Sequence, residues 1–205
     1  QRQMCIRDRD YSKHFDTLWR EDLKKMILRD RNHPSVIMWS IGNEIKHNET
    51  EEMALLSGKL ADYVRSIDNT RPVTAGVNAV SEKKDAYLNT LDVAGYNYSP
   101  NEYVSGHQRH PEQLIYASES YSSEAYDYWK AVEKYNWMIG DFVWTSFDYI
   151  GEASIGWNGY YLKQSFYPWY MAYCGDIDMC GIRRPQSYYR ETLWSGKPIT
   201  YISVT

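Results

Sequence analysis

Two glutamates stand out for what precedes them. In SVIMWSIGNE (35–44), β-branched, aromatic and aliphatic residues run from Ser35 to Ile41, stop at Gly42 and deliver Asn43 and Glu44. In QLIYASES (113–120), a second apolar run ends at Glu119. Paired carboxyl groups are the equipment for cleaving an acetal: one protonates the departing oxygen, the other attacks the anomeric carbon or activates water. Asn43, beside Glu44, would bind the hydroxyl next to that carbon. If configuration is retained, the two carboxyl groups should approach to about 5–5.5 Å. The plain alternative is two solvated glutamates at loop starts. Glu124 is a rival to Glu119, with a solvated loop or helix-start position as its simpler reading.

The elements that must hold these residues follow from periodicity. Phe15, Leu18, Trp19, Leu23, Met26 and Ile27 recur at helical spacing, and Pro34 predicts an end near Arg29 to Asn32. The first strand is expected over Ser35–Ile41, buried on both faces. Asn48 and Glu51 have capping-box spacing for a second helix, whose buried stripe is Met53, Leu56, Leu60, Val64 and Ile67 and whose end is Asp68-Asn69. RPVTAGVN (71–78), LDVAGYNYSP (91–100), QLIYASES and GDFVWTSFDY (140–149) read as further strands, and Tyr121 to Met138 as a helix.

Strands alternating with helical spacers predict a parallel sheet covered by helices. The mean strand-to-strand interval is about 26 residues, close to the ~31 per unit of an eight-stranded (β/α) barrel. A doubly wound open sheet is the rival, but no Gly-rich phosphate loop follows the first strand. Each strand is apolar along its length and polar at its end: Asn43-Glu44, Asn78, Asn97-Tyr98, Glu119, then Trp144 and Asp148. In a barrel those ends converge on one face, where active sites are assembled. Glu44 and Glu119 lie 75 residues apart, on strands separated by two others, hence across the barrel mouth.

Composition excludes some classes. The formal charge of −4, with both signs interspersed, offers no basic stripe for nucleic acid and no polybasic membrane patch. No apolar run approaches the ~18–20 residues of a bilayer span. Arg and Asp interrupt the N-terminal residues, which do not read as a signal peptide. Cys5, Cys174 and Cys180 form neither a disulfide framework nor a CxxC zinc pair, and localisation stays open. Eight Trp and twenty Tyr against four Phe suit stacking on sugar rings, or an aromatic-rich core.

MCIRDR (4–9) is what a common sequencing adapter encodes when read in frame, so residues 1–9 are expected to be a non-native artefact. Residues 10–195 then form the catalytic barrel segment, and GKPITYISVT (196–205) the start of a following β-domain.

HFDTLWREDLKKMILRDRNHPSVIMWSIGNE (14–44) resembles the signature region of the family 2 glycoside hydrolases, whose best-known members are β-galactosidases. DVAGYNY, YASES, GDFVWTSFDYIGE and YCGDIDMCGIRRPQSYYRETLW match in the family's order. The resemblance implies an α/β fold, a partial TIM (β/α)8 barrel covering about strands 4 to 8. It also implies Glu44 as general acid/base, Glu119 as nucleophile, Asn43 and Asn97 as substrate contacts, Tyr98 hydrogen-bonded near the nucleophile, and Trp144 as a sugar platform. A less polar setting against Trp39 or Trp144 is expected to raise the Glu44 pKa, and a Tyr98 hydroxyl donating to Glu119 to favour its carboxylate.

The implied activity is a retaining exo-β-glycosidase for β-galactosides, with carbohydrate as partner and β-sandwich domains missing on both sides. β-Glucuronidase or related family 2 specificity, and a non-catalytic carbohydrate-binding fragment, are the alternatives. Some β-galactosidases carry a His shortly after the nucleophile, where this chain has ESYSSE. The family's magnesium ligands near the acid/base lie upstream of the motif, so no metal and no cofactor are expected in this chain. With three strands missing, the 205-residue chain alone is expected to be inactive or poorly soluble.

Asp148 and Glu152 read as solvated loop carboxylates, His33 as capping or packing in the turn before Pro34, and Cys174 and Cys180 as buried small hydrophobes. Trp157, Trp169 and Tyr160, Tyr161, Tyr167, Tyr170 and Tyr173 would form a lid, an aglycone subsite, or packing against neighbouring domains.

Overall fold

The computed structural model describes residues 12–150, 171–172 and 174–202. Residues 1–9, Glu152, and the aromatics from Trp157 to Tyr173 named above lie outside the described residues. The chain divides into two compact units, Gln1–Ser118 with Asn136–Ile139, and Glu119–Tyr135 with Gly140–Thr205.

The first unit opens with helix α1 (Ser12–Asp30). Phe15, Trp19, Leu23 and Ile27 are buried, while Leu18 is 38% exposed, so the apolar stripe is narrower than its periodicity suggests. Strand β1 is Trp39–Asn43, later and shorter than Ser35–Ile41. Pro34 and a turn in which Val36 N–H donates to His33 O hold the preceding segment out of the sheet, and Ile37 is exposed. Nor is β1 buried on both faces, since Ser40 is exposed. Helix α2 (Glu51–Ile67) is capped by Thr50, whose hydroxyl accepts the Met53 N–H, and not by Asn48. Asn48 is buried instead. Ala54, Ser57, Leu60, Ala61 and Val64 form the buried face of α2.

β2 (Val73–Asn78), α3 (Asp85–Leu88), β3 (Val93–Asn97), α4 (Tyr103–Arg109) and β4 (Leu114–Ser120) continue the alternation. β1 pairs with β2 and β2 with β3 in parallel, and with β5 (Met138–Val143) the strands form one sheet in chain order. Val73, Ala75, Val77, Ala94, Tyr96, Ile115 and Ala117 are almost completely buried. Tyr96 packs on Tyr103 of α4, with ring centroids 5.9 Å apart.

Tyr121 to Met138 splits into a short 3-10 turn and helix α5 (Ala125–Lys134), both in the second unit, and the start of β5, which begins before Gly140 with Met138 and Ile139 of the first. β6 (Tyr149–Ile150) and β7 (Met171–Ala172) form an antiparallel ribbon. Helix α6 (Pro185–Ser195) starts with Pro at its first position and ends at Gly196, whose φ of 66° suits glycine.

Candidate active site

Three successive strands end alike. Each closes on asparagine and hands the chain to a residue with positive φ: Asn43 to Glu44 (48°), Asn78 to Ala79 (43°) and Asn97 to Tyr98 (50°). None of these residues is glycine, so each conformation costs about 1–3 kcal/mol and must be held by its surroundings. At Glu44 part of the restraint is visible: its N–H donates to Gly76 O at 2.8 Å, extending the β1–β2 ladder past the last strand residue.

The pairing of β1 with β2 contains one irregularity. Ser40 aligns with Thr74 and Asn43 with Gly76, three residues on one strand against two on the other. Side chains alternate along a strand, so a regular ladder would place Ser40 and Asn43 on opposite faces. The extra residue moves Asn43 onto the face of Ser40, Thr74 and Gly76, and a bulge at a strand end is a common device for re-aiming a side chain. Register places Gly95 and Asn97 of β3 on this same face.

There the side chains meet. Asn97 Nδ2 donates to Asn43 Oδ1 at 2.9 Å and to Glu44 Oε1 at 3.2 Å, and Ser118 Oγ donates to Asn97 Oδ1 at 2.6 Å. Glu44 is exposed, Tyr98 is half-buried, and Asn97 is 1% exposed. The amide expected to touch sugar therefore makes these bonds inside the protein. Glycines make room for the cluster: a Cβ at Gly76 would overlap Asn43 Oδ1, and one at Gly95 would stand 2.8 Å from Ser118 Oγ. Neither Ser118 nor the two glycines was singled out from sequence, although glycine inside a strand signals close approach.

In the second unit, Glu119 is 8% exposed near the end of β4. The neighbouring Ser120 donates to Asp141 Oδ2 at 3.0 Å, and Asp141 and Asp176 flank the buried Arg190 at 3.2 and 2.8 Å. Trp144 N–H donates to Ser120 O at 3.0 Å, and the Trp144 ring meets Tyr149 edge-on at 6.2 Å. Glu124 is exposed and lies just before helix α5.

Four expectations need correction. Asp148 is not a solvated carboxylate: it is buried, accepts the Gly175 N–H and pairs with both terminal nitrogens of Arg184. Burial pushes its pKa up, but Arg184 and Gly175 together outweigh that, and the net shift is downward. Trp39 does not line the Glu44 environment, because its indole N–H donates to Asp68 at the opposite end of β1. Cys180 is exposed and Cys174 only half-buried, since Asp178 gathers the N–H groups of Cys180 and Ile182 into a surface turn. His33 is exposed, and its backbone joins the turn, its N–H donating to Asp30 O and its carbonyl accepting the Val36 N–H. Among the described residues, no three His, Cys, Asp or Glu side chains converge as a metal-ion set, and no helix is long and apolar enough to cross a membrane.

The chain is similar to known proteins along nearly its whole length. A solved glycosyl hydrolase family 2 member from Bacteroides cellulosilyticus is 60% identical with a TM-score of 0.86, over 92% of this chain and 24% of that one. Beta-galactosidase BoGH2A of Bacteroides ovatus is 28% identical over 94% of this chain and 31% of its own length. A beta-glucuronidase of Sus scrofa is 36% identical over 38% of this chain and 12% of its own. The chain thus spans less than a third of these relatives. Its α/β architecture is that of a partial TIM (β/α)8 barrel, as strand spacing and polar strand ends suggested. Residues 8–156 match the model described as glycosyl hydrolases family 2, TIM barrel domain, and the chain belongs to that family.

Proposed function

We propose that residues 10–195 supply the catalytic centre of a retaining exo-β-glycosidase acting on terminal β-galactosides. The observation that carries the reading is the strand-end cluster of Asn43, Glu44 and Asn97. It provides an exposed carboxyl group, fixed by backbone and side-chain bonds, beside an amide, in a family 2 barrel domain.

The cycle is a double displacement. Glu119 attacks the anomeric carbon, the bond to the aglycone oxygen breaks, and Glu44 protonates that oxygen. Water then attacks the glycosyl-enzyme, Glu44 takes its proton, and Glu119 departs as carboxylate. Two inversions give net retention. Asn43, Tyr98 and Trp144 contact the sugar. Flanking β-sandwich domains complete the protein.

The Bacteroides ovatus relative favours galactosides. The Sus scrofa relative favours a second reading, β-glucuronides. The test is a panel of nitrophenyl β-glycosides with the full-length gene product. Galactoside is expected to turn over best, and Glu44→Gln and Glu119→Gln to lose at least ~10²-fold. Preferred turnover of glucuronide would select the second reading. Unimpaired Gln variants would remove the proposed roles.

A further inference from the structure

We infer that Ser118 and Asn97 are positioning residues that decide which atoms of Asn43 and Glu44 face the substrate; the inference rests on the roles proposed above for those two. An ionised carboxylate only accepts hydrogen bonds, so Asn97, 3.2 Å from Glu44 Oε1, must turn Nδ2 toward it. The same Nδ2 reaches Asn43 at 2.9 Å, which obliges Asn43 to present Oδ1. Turned this way, Asn97 points Oδ1 at Ser118, whose hydroxyl donates at 2.6 Å. Each orientation fixes the next, and Asn97, at 1% exposure, is shielded from competing water.

Two consequences follow for the chemistry. Asn43 Oδ1 is occupied, so its Nδ2 is the group that meets the sugar, and it requires a hydrogen-bond acceptor beside the anomeric carbon. Glu44 Oε1 already accepts from Asn97, so the acid proton resides on Oε2, and Oε2 delivers it to the departing oxygen. The relay itself transfers no proton. It removes the alternative orientations of both side chains, which otherwise must be lost on the way to the transition state.

The test uses the full-length protein and β-galactosides with graded leaving groups, since help from an acid matters most when the leaving group is poor. Ser118→Ala is expected to lower kcat/KM for an alkyl galactoside about tenfold, the value of one hydrogen bond, and for a dinitrophenyl galactoside less than about twofold. Asn97→Asp keeps the volume but sets an acceptor against Glu44, and is expected to show the same pattern more strongly. Ser118→Ala added to Glu44→Ala should cost no more than that small factor of about twofold, because only the Asn43 contact is then left to disturb. An equal fall for every leaving group, or full additivity with Glu44→Ala, would overturn the relay. If Glu44→Ala itself spares poor and good leaving groups alike, the acid/base reading fails. If Glu44→Ala shows the pattern and Ser118→Ala does not, the relay alone fails.

Discussion

Gly76 touches no substrate in this account, yet replacing it with alanine should disable the site. It lies within β2, opposite Asn43, and the space where its side chain would stand is filled by the amide cluster. A Cβ there would overlap Asn43 Oδ1, and would stand 2.9 Å from Asn97 Oδ1 and 3.3 Å from Ser118 Oγ. To regain ordinary van der Waals separation, the Asn43 amide must retreat by roughly 1 Å. Misplacement on that scale costs about 10²-fold in rate, whereas overpacking of one methyl costs about 1–3 kcal/mol of stability. Gly76→Ala is therefore expected to fold, melt a few degrees lower and lose about 10²-fold in kcat on a nitrophenyl β-galactoside. Gly58→Ala is the control. Gly58 sits within α2, where an added Cβ would meet Thr90 Cγ2 at 3.7 Å, an ordinary contact. That change should raise stability by about 0.5–1 kcal/mol and leave kcat unchanged. A Gly76→Ala enzyme with parental kcat would refute the claim that the strand-end amides need this space.

Two further expectations concern stability. Thr50→Ala removes the oxygen that accepts the Met53 N–H and should destabilise the domain by about 1 kcal/mol in denaturant titrations, with Thr50→Asn restoring most of it. Asp68 accepts from the Thr70 hydroxyl at 2.5 Å, the Thr70 N–H at 2.9 Å, and Trp39 and Arg71 at 3.0 Å each. The Thr70 hydroxyl, with the other donors, holds its pKa well below the usual carboxylate range against the opposing effect of burial. A depressed folded-state pKa stabilises above the unfolded value of ~3.9, and this contribution is lost as pH falls below it. Asp68→Asn should cost about 1–3 kcal/mol near neutral pH, and the gap should narrow below about pH 4. A gap that stays constant through the acid range would exclude this origin.

What sequence made legible here is what depends on chemical type along the strand. Apolar runs ending in Asn43-Glu44, Asn97-Tyr98 and Glu119 marked strands and their polar ends. What stayed hidden depends on backbone conformation and on partners distant in sequence. Glu44, Ala79 and Tyr98 are ordinary residues in a conformation that favours glycine, and nothing in their types announces it. The irregularity that moves Asn43 across the sheet is a property of the pairing with β2, not of β1 alone. Asn48 and Thr50 are both good capping residues, and burial of Asn48 left the role to Thr50. Trp39 and Asp148 were misread for one reason: their partners, Asp68 and Arg184, lie 29 and 36 residues away.

The central claim is that Glu119 forms the glycosyl-enzyme and Glu44 serves as its acid and base. A 2-deoxy-2-fluoro-β-galactosyl fluoride slows both steps but carries a leaving group good enough for the first, so the covalent intermediate accumulates. Peptide mass spectrometry of the inactivated full-length protein should place the fluorosugar on Glu119, in the peptide containing YASES. A label on Glu124 or any other residue, or turnover that inverts the anomeric centre with no adduct, would contradict the account.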